Sequence, residues 1–277
     1  MTVRDFLKSL TGLSVLALGL ASSAQADALS DIKARGTLIC GVLGTSQPYG
    51  YLDPTTKESI GYEVDLCRMA AEYLGVKAEV KVTSSEARIP ELMQGRVDFL
   101  AALISYSAAR AEQVDFSNSY LRESFGFLAA EDIGATKLDD LDGQRLAINK
   151  GNFMEPLIAT RLPKASIVAF EEQPVAFMAV QQGKAAAVAG RFTSLLVLQM
   201  RAGNEGRSMV IIQEPLVTQS TGFVVRKGED ALRSELNAFL DQLEASGEAQ
   251  KLYDKWLGKD SDFGLTRNFK AGDPVDQ

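Results

Sequence analysis

The stretch ELMQGRVDFL, residues 91–100, combines the end of a helix, a glycine, a basic residue and the start of an apolar strand. The stretch AVQQGKAAAV, residues 179–188, repeats this order around Gly183. Glycine commonly ends a helix because it adopts a left-handed backbone without strain, and the apolar run after it is typical of a buried strand. The two stretches share an architecture rather than a sequence, and they indicate two similar α/β units in one chain.

Strands and helices alternate on either side of both stretches. In the first half, the segments 37–43, 78–83 and 97–104 are predicted strands, and 61–75 and 88–95 are predicted helices. In the second half, the predicted strands are 145–151, 166–170 and 184–190, and the predicted helices are 152–162 and 174–183. This alternation predicts an α/β fold with a largely parallel sheet.

Two extended segments that contain glycine, 124–130 and 220–228, do not fit this alternation. We expect them to be two strands that cross between two lobes. The first lobe is then formed by 27–122 and 222–277, and the second lobe by 123–221.

The chain returns to the first lobe through two amphipathic helices, 230–246 and 248–257. Trp256 lies on the apolar face of the second helix and is predicted to be a core residue rather than a ligand contact. The tail, 263–277, is predicted to be loosely packed because chain ends often are.

The N-terminus has the layout of a cleaved export signal. Arg4 and Lys8 precede an apolar run at 10–21, which is followed by small residues at Ala24 and Ala26. This pattern predicts a signal peptide at 1–26, and the run is short for a membrane helix. The alternative is a membrane anchor. With the signal removed, the mature chain is predicted to be soluble and periplasmic.

Composition limits the chemistry that is open to this chain. Its formal charge is -7, and without residues 1–26 it has 27 basic and 35 acidic residues, or -8. Such an acidic chain argues against nucleic acid as a partner. There is no histidine, which removes the commonest metal ligand and general base, so we predict neither a metal nor a cofactor. Cys40 and Cys67 are interpreted as unpaired buried residues, with a disulfide as the alternative.

Two arginines follow predicted buried strands. The run AAAVAGRF, residues 185–192, has almost no side chains before Arg191, and Arg110 follows the corresponding strand of the first lobe. Ligands of open α/β sheets bind outside the carboxyl ends of the strands. We therefore expect both arginines to face one cleft from opposite sides.

Several motifs together resemble the extracytoplasmic solute-binding proteins of polar amino acid ABC transporters: RGTLICGV, IGYEVDLCRMAAEYLG, RIPELMQGRVDF, SAARAEQVDFSNSY and SGEAQKLYDKWLG. The resemblance covers the mature chain, and the third and last motifs are most similar to the glutamate/aspartate-type branch. It implies a type II periplasmic binding protein fold with the ligand between two lobes. It also implies hinge closure, a membrane permease as partner, a monomer and no enzymatic activity.

The resemblance also implies site residues. Arg110 matches the arginine that binds the ligand α-carboxylate, and Ser105 matches a hydroxyl residue that donates to the same group. Asn152 and Phe153 match the helix start that closes on this carboxylate in the second lobe. In the acidic-ligand branch, the side-chain carboxylate is held at the positions of Arg88 and Ser85. The predicted set is completed by Leu103 and Tyr49.

The chain departs from the family at three positions. Most members have an aspartate for the ligand ammonium where this chain has Arg191, an aromatic residue where it has Ser46, and, in the acidic branch, an arginine where it has Leu43. Arg191 would repel an ammonium and attract an anion. We therefore expect it to contact a second anionic group of the ligand, such as a dicarboxylate or an oxo-acid. The alternative is an ion pair with Glu123 or Glu155.

The predicted function is the substrate-binding component of an ABC importer for a small amino acid or a related carboxylic acid. Two alternatives stay open. One is an exported dehydratase-like enzyme on the same fold, in which Glu123, Lys150 or Glu155 would serve as acid or base. The other is a sensory receptor with the same binding chemistry. Arg110 could also pair with Asp115, and Arg88 could be a solvated or supporting residue.

Overall fold

A computed structural model describes residues 27–205 and 207–275. The predicted signal peptide, 1–26, lies outside the described residues. The first elements are α1 (Ala28–Arg35), β1 (Thr37–Leu43), β2 (Thr45–Ser46), β3 (Gly50–Leu52), β4 (Ser59–Ile60), α2 (Tyr62–Tyr73), β5 (Lys77–Thr83), α3 (Arg88–Met93), β6 (Phe99–Leu100) and α4 (Ala108–Ala111). They are followed by β7 (Val114–Ala130), β8 (Arg145–Asn149), α5 (Met154–Arg161), β9 (Ser166–Phe170), α6 (Gln173–Gln181), β10 (Ala187–Arg191), α7 (Phe192–Glu205), β11 (Met209–Ile211), β12 (Val217–Arg226), α8 (Asp230–Ala245) and α9 (Glu248–Trp256).

The main sheet has the strand order β5-β1-β6-β12-β7-β10-β8-β9, and β11 pairs with β7. β5, β1 and β6 are parallel at one end, and β10, β8 and β9 are parallel at the other. The predicted α/β alternation is therefore confirmed in both halves. β6 is much shorter than the predicted strand, and the segment after it adopts a left-handed conformation at Leu103, where φ is 53°.

β7 and β12 lie in the middle of the sheet and pair with each other antiparallel. β7 contains the predicted crossing segment 124–130, and β12 contains 220–226 of the predicted segment 220–228. The predicted lobe boundaries fall inside this pair, where Arg122 is opposite Ser220 and Leu121 is opposite Thr221. The ladder is irregular at Gly222, where a Cβ atom would lie 2.7 Å from the carbonyl oxygen of Ser117. Glycine at this position lets the two backbones approach each other.

Apolar residues form separate cores in the two halves of the sheet. The largest core packs β1 and α2 against α8 and α9, so both C-terminal helices pack on the elements of the first half of the chain. Trp256 packs against this core and donates its indole N–H to Asp65 at 2.8 Å, which confirms its structural role. In the second lobe, the cores lie on both faces of β8 and β10.

Two expectations about the first lobe are wrong. Cys40 and Cys67 form a disulfide with a Cα–Cα distance of 6.0 Å, because the packing of α2 on β1 brings the two buried residues together. The tail is tied to β7, where the Ser119 N–H donates to the Asp273 carbonyl at 2.7 Å and the Gly272 N–H donates to the Ser119 carbonyl at 2.9 Å. A segment that is hydrogen-bonded to β7 on both sides of Ser119 and buries Ala271 is not a loose chain end.

Across 27–205 and 207–275, every helix is too short or too polar to cross a bilayer.

Candidate functional site

A cavity of about 60 Å³ lies between the two lobes, next to the crossing strands. Its walls come from both halves of the chain. The lining residues are Leu43, Ser46, Ser85, Arg88, Leu103, Arg110, Phe125, Asn149, Gly151, Asn152, Phe153, Gln173, Gly190, Arg191 and Ser194. Seven of the nine predicted site residues are therefore in the wall, together with Ser46 and Leu43, two of the three positions where the chain departs from the family.

Arg110 is held by backbone carbonyls. It lies on the single-turn helix α4, whose cap Ser107 accepts a hydrogen bond from the Arg110 backbone N–H. Its guanidinium donates to the carbonyl of Ser105 at 2.8 Å and, across the cleft, to the carbonyl of Gly151 at 2.7 Å. Asp115, the alternative partner, pairs instead with Lys227 at 2.8 Å. Burial, together with the charges of Arg88 and Arg191, lowers the pKa of Arg110 to about 9.

Arg88 is the first residue of α3, and it is buried. Its guanidinium donates to the carbonyl of Ser85 at 2.9 Å and to the carbonyl of Ala102 at 2.6 Å. Burial lowers the pKa of Arg88 to about 10, against the opposing effect of Glu63. Arg88 is thus a buried cation in the cavity wall rather than a solvated residue.

Arg191 ends β10, and its side chain is only 5% exposed. One guanidinium nitrogen lies 3.4 Å from a carboxylate oxygen of Glu123. Another donates to the hydroxyls of Ser105 and Thr221, each at 2.9 Å, and to the carbonyl of Leu103 at 3.1 Å. Of the two acids predicted as alternative ion-pair partners of Arg191, Glu123 forms the pair, whereas Glu155 is exposed.

Ser105 and Tyr49 were predicted as ligand contacts, but they lie behind the cavity wall. Ser105 is 1% exposed, and its hydroxyl also lies 3.4 Å from that of Thr221. Tyr49 is fully buried and donates its hydroxyl to Glu123 at 2.6 Å. Burial, and then the charge of Glu123, raise the pKa of Tyr49 well above its ordinary value. In this conformation, both side chains hold Arg191 and Glu123 in place.

The backbone of Leu103 is positioned by hydrogen bonds to charged side chains. Its backbone N–H donates to the carboxylate of Glu63 at 2.7 Å, and its carbonyl accepts from Arg191 and, at 3.4 Å, from Arg88. A leucine with φ of 53° costs conformational energy, and these bonds fix it there.

The second lobe contributes the segment before α5. Gly151 has φ of 69°, and a Cβ atom there would lie 3.1 Å from the carbonyl oxygen of Ser85 in the first lobe. Asn152 accepts from the backbone N–H of Met154, and the ring of Phe153 packs edge-on against Phe125. The lobes are therefore in close contact at this end of the cavity.

Glu172 was missed by the sequence analysis. It precedes α6 in the second lobe, and its carboxylate accepts from the backbone N–H and hydroxyl of Ser85, both at 3.0 Å, and from the hydroxyl of Thr45 at 3.2 Å. All three donors belong to the first lobe, so Glu172 links the closed lobes. The sequence did contain a signal for its position, because an acidic residue directly before Gln173-Pro174 is typical of a helix start.

The two lobes, the crossing strands and the closed polar cavity define the class: a two-lobe periplasmic binding protein of type II. More specifically, the chain belongs to the bacterial extracellular solute-binding proteins, family 3, whose family model matches residues 38–259.

Two relatives illustrate its place in the family. The ABC transporter glutamine-binding protein of Bacillus subtilis is 28% identical over 238 residues, which cover 84% of this chain and 86% of the relative. The L-glutamate/L-aspartate-binding protein of Pseudomonas aeruginosa is 27% identical over 283 residues, which cover 96% and 93%. Both are binding proteins, which confirms the resemblance drawn from the motifs.

The fold is also that of solved structures. An ancestral amino acid-binding protein, described as a precursor of cyclohexadienyl dehydratase, has a TM-score of 0.75 and is 29% identical. The match covers 84% of this chain and all of that one. The two-lobe fold is therefore confirmed.

Proposed function

We propose that this protein is the substrate-binding component of an ABC importer, and that it captures a small amino acid or a related carboxylic acid between its lobes. The observation that carries the proposal is the position of Arg110. Its guanidinium lines the cavity, and its bonds go to carbonyl oxygens of both lobes. A guanidinium of this kind binds a carboxylate through paired, charge-assisted hydrogen bonds.

Closure of the lobes is the second part of the proposal. The bonds from Arg110 to Gly151 and from Ser85 to Glu172 connect the lobes next to the cavity. A ligand that contacts both walls would favour this closed form over an open one, and a permease in the membrane would then recognise it. The periplasm and a monomeric state remain predictions of the sequence.

A binding role fits the cavity better than catalysis. Among the described residues, the lining side chains are arginines, amides, hydroxyls and apolar groups, without a carboxylate or a lysine. Lys150 and Glu155, two candidates for acid–base chemistry, are outside this lining. The third, Glu123, is engaged by Arg191. We therefore propose that the protein is not an enzyme, although one structural neighbour is a dehydratase precursor.

A thermal-shift screen tests the proposal. Protein freed of ligand by unfolding and refolding is mixed with the twenty amino acids and with small mono- and dicarboxylic acids. A true ligand raises Tm, because at 100 times its Kd it stabilises the folded state by about 2.7 kcal/mol. We expect Arg110→Gln to weaken that ligand by about 2–5 kcal/mol, roughly 30-fold to 5,000-fold in Kd.

The matched control is Arg96→Gln, since Arg96 is exposed and lies outside the cavity. It should bind like the unmodified protein. If none of these acids raises Tm, the proposed function is wrong. If Arg110→Gln binds the ligand with unchanged affinity, Arg110 is not the residue that binds the carboxylate.

A further inference from the structure

The charges that line the cavity have one sign. Arg88, Arg110 and Arg191 all reach its wall, and the lining contains no aspartate or glutamate among the described residues. A cavity that is lined by cations alone favours an anionic ligand. How many of these three charges are available to a ligand depends on the acids in the layer behind the wall.

Three glutamates lie in that layer, and each is already engaged by donors of this chain. Glu123 is bonded to Arg191, Tyr49 and Thr193. Glu172 accepts three hydrogen bonds across the cleft, and Glu63, fully buried, accepts from Tyr120 and from the Leu103 backbone. None of the three presents a carboxylate to the cavity for a ligand ammonium group.

Two of the three arginines lack an ion-pair partner. The ion pair with Glu123 offsets the charge of Arg191. No described carboxylate lies within 4 Å of the guanidinium of Arg88 or Arg110, although Glu63 and Glu172 oppose the charge of Arg88 from a longer distance. Their carbonyl partners fix the guanidinium planes but carry no net charge to neutralise them. Mutual repulsion contributes to the lowered pKa of Arg110. A bound dianion would relieve this repulsion, whereas an ammonium group would add to it.

From this geometry we infer that the ligand is a small acid with two anionic groups and no ammonium group. One anionic group binds Arg110, and the other binds Arg88. The neutral side chains of Asn149, Ser194 and Gln173 would contact the connecting atoms. This inference rests on the proposed function and names the substrate class of the same site.

Calorimetry with matched pairs of acids tests the inference. Ligand-free protein is titrated with succinate against aspartate, and with glutarate and 2-oxoglutarate against glutamate, since the members of each comparison share a chain length and differ in the amino group. Butyrate provides a single carboxylate on a four-carbon chain. We expect the best deaminated diacid to bind at least about tenfold more tightly than its amino partner, and succinate at least about tenfold more tightly than butyrate.

A variant separates the contributions of Arg88 and Arg110 to ligand affinity. Arg88→Gln should weaken the diacid by at least about tenfold while it changes the affinity for butyrate by less than about threefold, because butyrate needs only Arg110. Arg96→Gln is again the control, and circular dichroism checks that both variants are folded.

Each result has a distinct meaning. If aspartate or glutamate binds more tightly than its deaminated partner, the ligand class is wrong and the import role stands. If Arg88→Gln binds the diacid normally, Arg88 is not the second anchor and the inference fails. If neither these acids nor any of the twenty amino acids binds, the proposed function itself fails.

Discussion

Arg110 and Arg191 follow corresponding strands of the two lobes and face one cavity, yet their surroundings differ. Arg110 donates to two carbonyls and has no acidic partner among the described residues, whereas Arg191 meets Glu123, two hydroxyls and a carbonyl. The charge of the first arginine has no ion-pair partner, and the charge of the second is offset by Glu123. We therefore propose that the same residue type in matching places serves ligand binding in one lobe and support of the cleft in the other.

The largest expected effect comes from Arg191→Met. The substitution leaves Glu123 buried without its cation, and breaking such a pair costs about 3–5 kcal/mol. We expect the free energy of unfolding of the ligand-free protein, measured in urea, to fall by this amount. Arg110→Gln should change it far less, because no ion pair is broken.

A double-mutant cycle with Glu123→Gln provides the control. Since both substitutions remove the same ion pair, the double variant should be more stable than the sum of the single effects predicts. If Arg191→Met is as stable as the unmodified protein but no longer binds any acid, Arg191 is a ligand anchor and the contrast with Arg110 disappears.

The positions of these arginines were predictable, because they depend on local pattern. Glycine stops and apolar runs located the strands, and residues after parallel strands share one edge of a sheet. The sequence named Glu123 as one of two possible acidic partners of Arg191, but it did not choose between them and did not indicate Ser105, because Glu123 and Ser105 are 68 and 86 residues away from Arg191. Such pairing depends on the packing of β7 and of the loop after β6 against β10.

The cysteines show the same limit. The sequence placed Cys40 on a strand and Cys67 on the inner face of a helix, and both placements are confirmed. Whether two buried cysteines meet depends on how far the helix is shifted along the strand, and a shift of one helical turn would separate them. No local pattern specifies that offset.

Glu172 provides the next test of how charged residues divide between ligand binding and support of the cleft. It accepts three hydrogen bonds from the first lobe, so Glu172→Gln should weaken the closed form by about 1–2 kcal/mol. The tightest-binding acid of the calorimetric titrations should then lose roughly 5-fold to 30-fold in affinity, mostly through faster dissociation. Stopped-flow measurements of the dissociation rate check this.

The control is Glu171→Gln, because Glu171 is exposed and pairs with Lys150 in its own lobe. It should dissociate its ligand at the normal rate. If Glu172→Gln abolishes the binding of amino acids but not of diacids, Glu172 binds a ligand ammonium group instead of stabilising the closed form.

The smallest expected effect concerns Glu63, which lies beneath Leu103 and interacts with the charges of both Arg88 and Arg191. Burial raises the pKa of Glu63 above its ordinary value of 4.5. The folded protein therefore binds this proton more tightly than the unfolded chain, and its stability falls as pH rises from about 4.5 through the raised pKa. Glu63→Gln removes this dependence, so the stability of the variant relative to the unmodified protein should increase across that window and then level off.

Urea unfolding at a series of pH values between about 4 and 8 measures the difference, with the exposed Glu79→Gln as control. Parallel curves for the two proteins would show that folding does not shift the pKa of Glu63, so that Glu63 is ionised in the folded protein at neutral pH. Its negative charge would then partly offset the arginines. The positive charge available to a ligand would then be smaller than the ion pair between Arg191 and Glu123 alone indicates. A single carboxylate on the ligand would be enough to balance the remaining charge of the cavity.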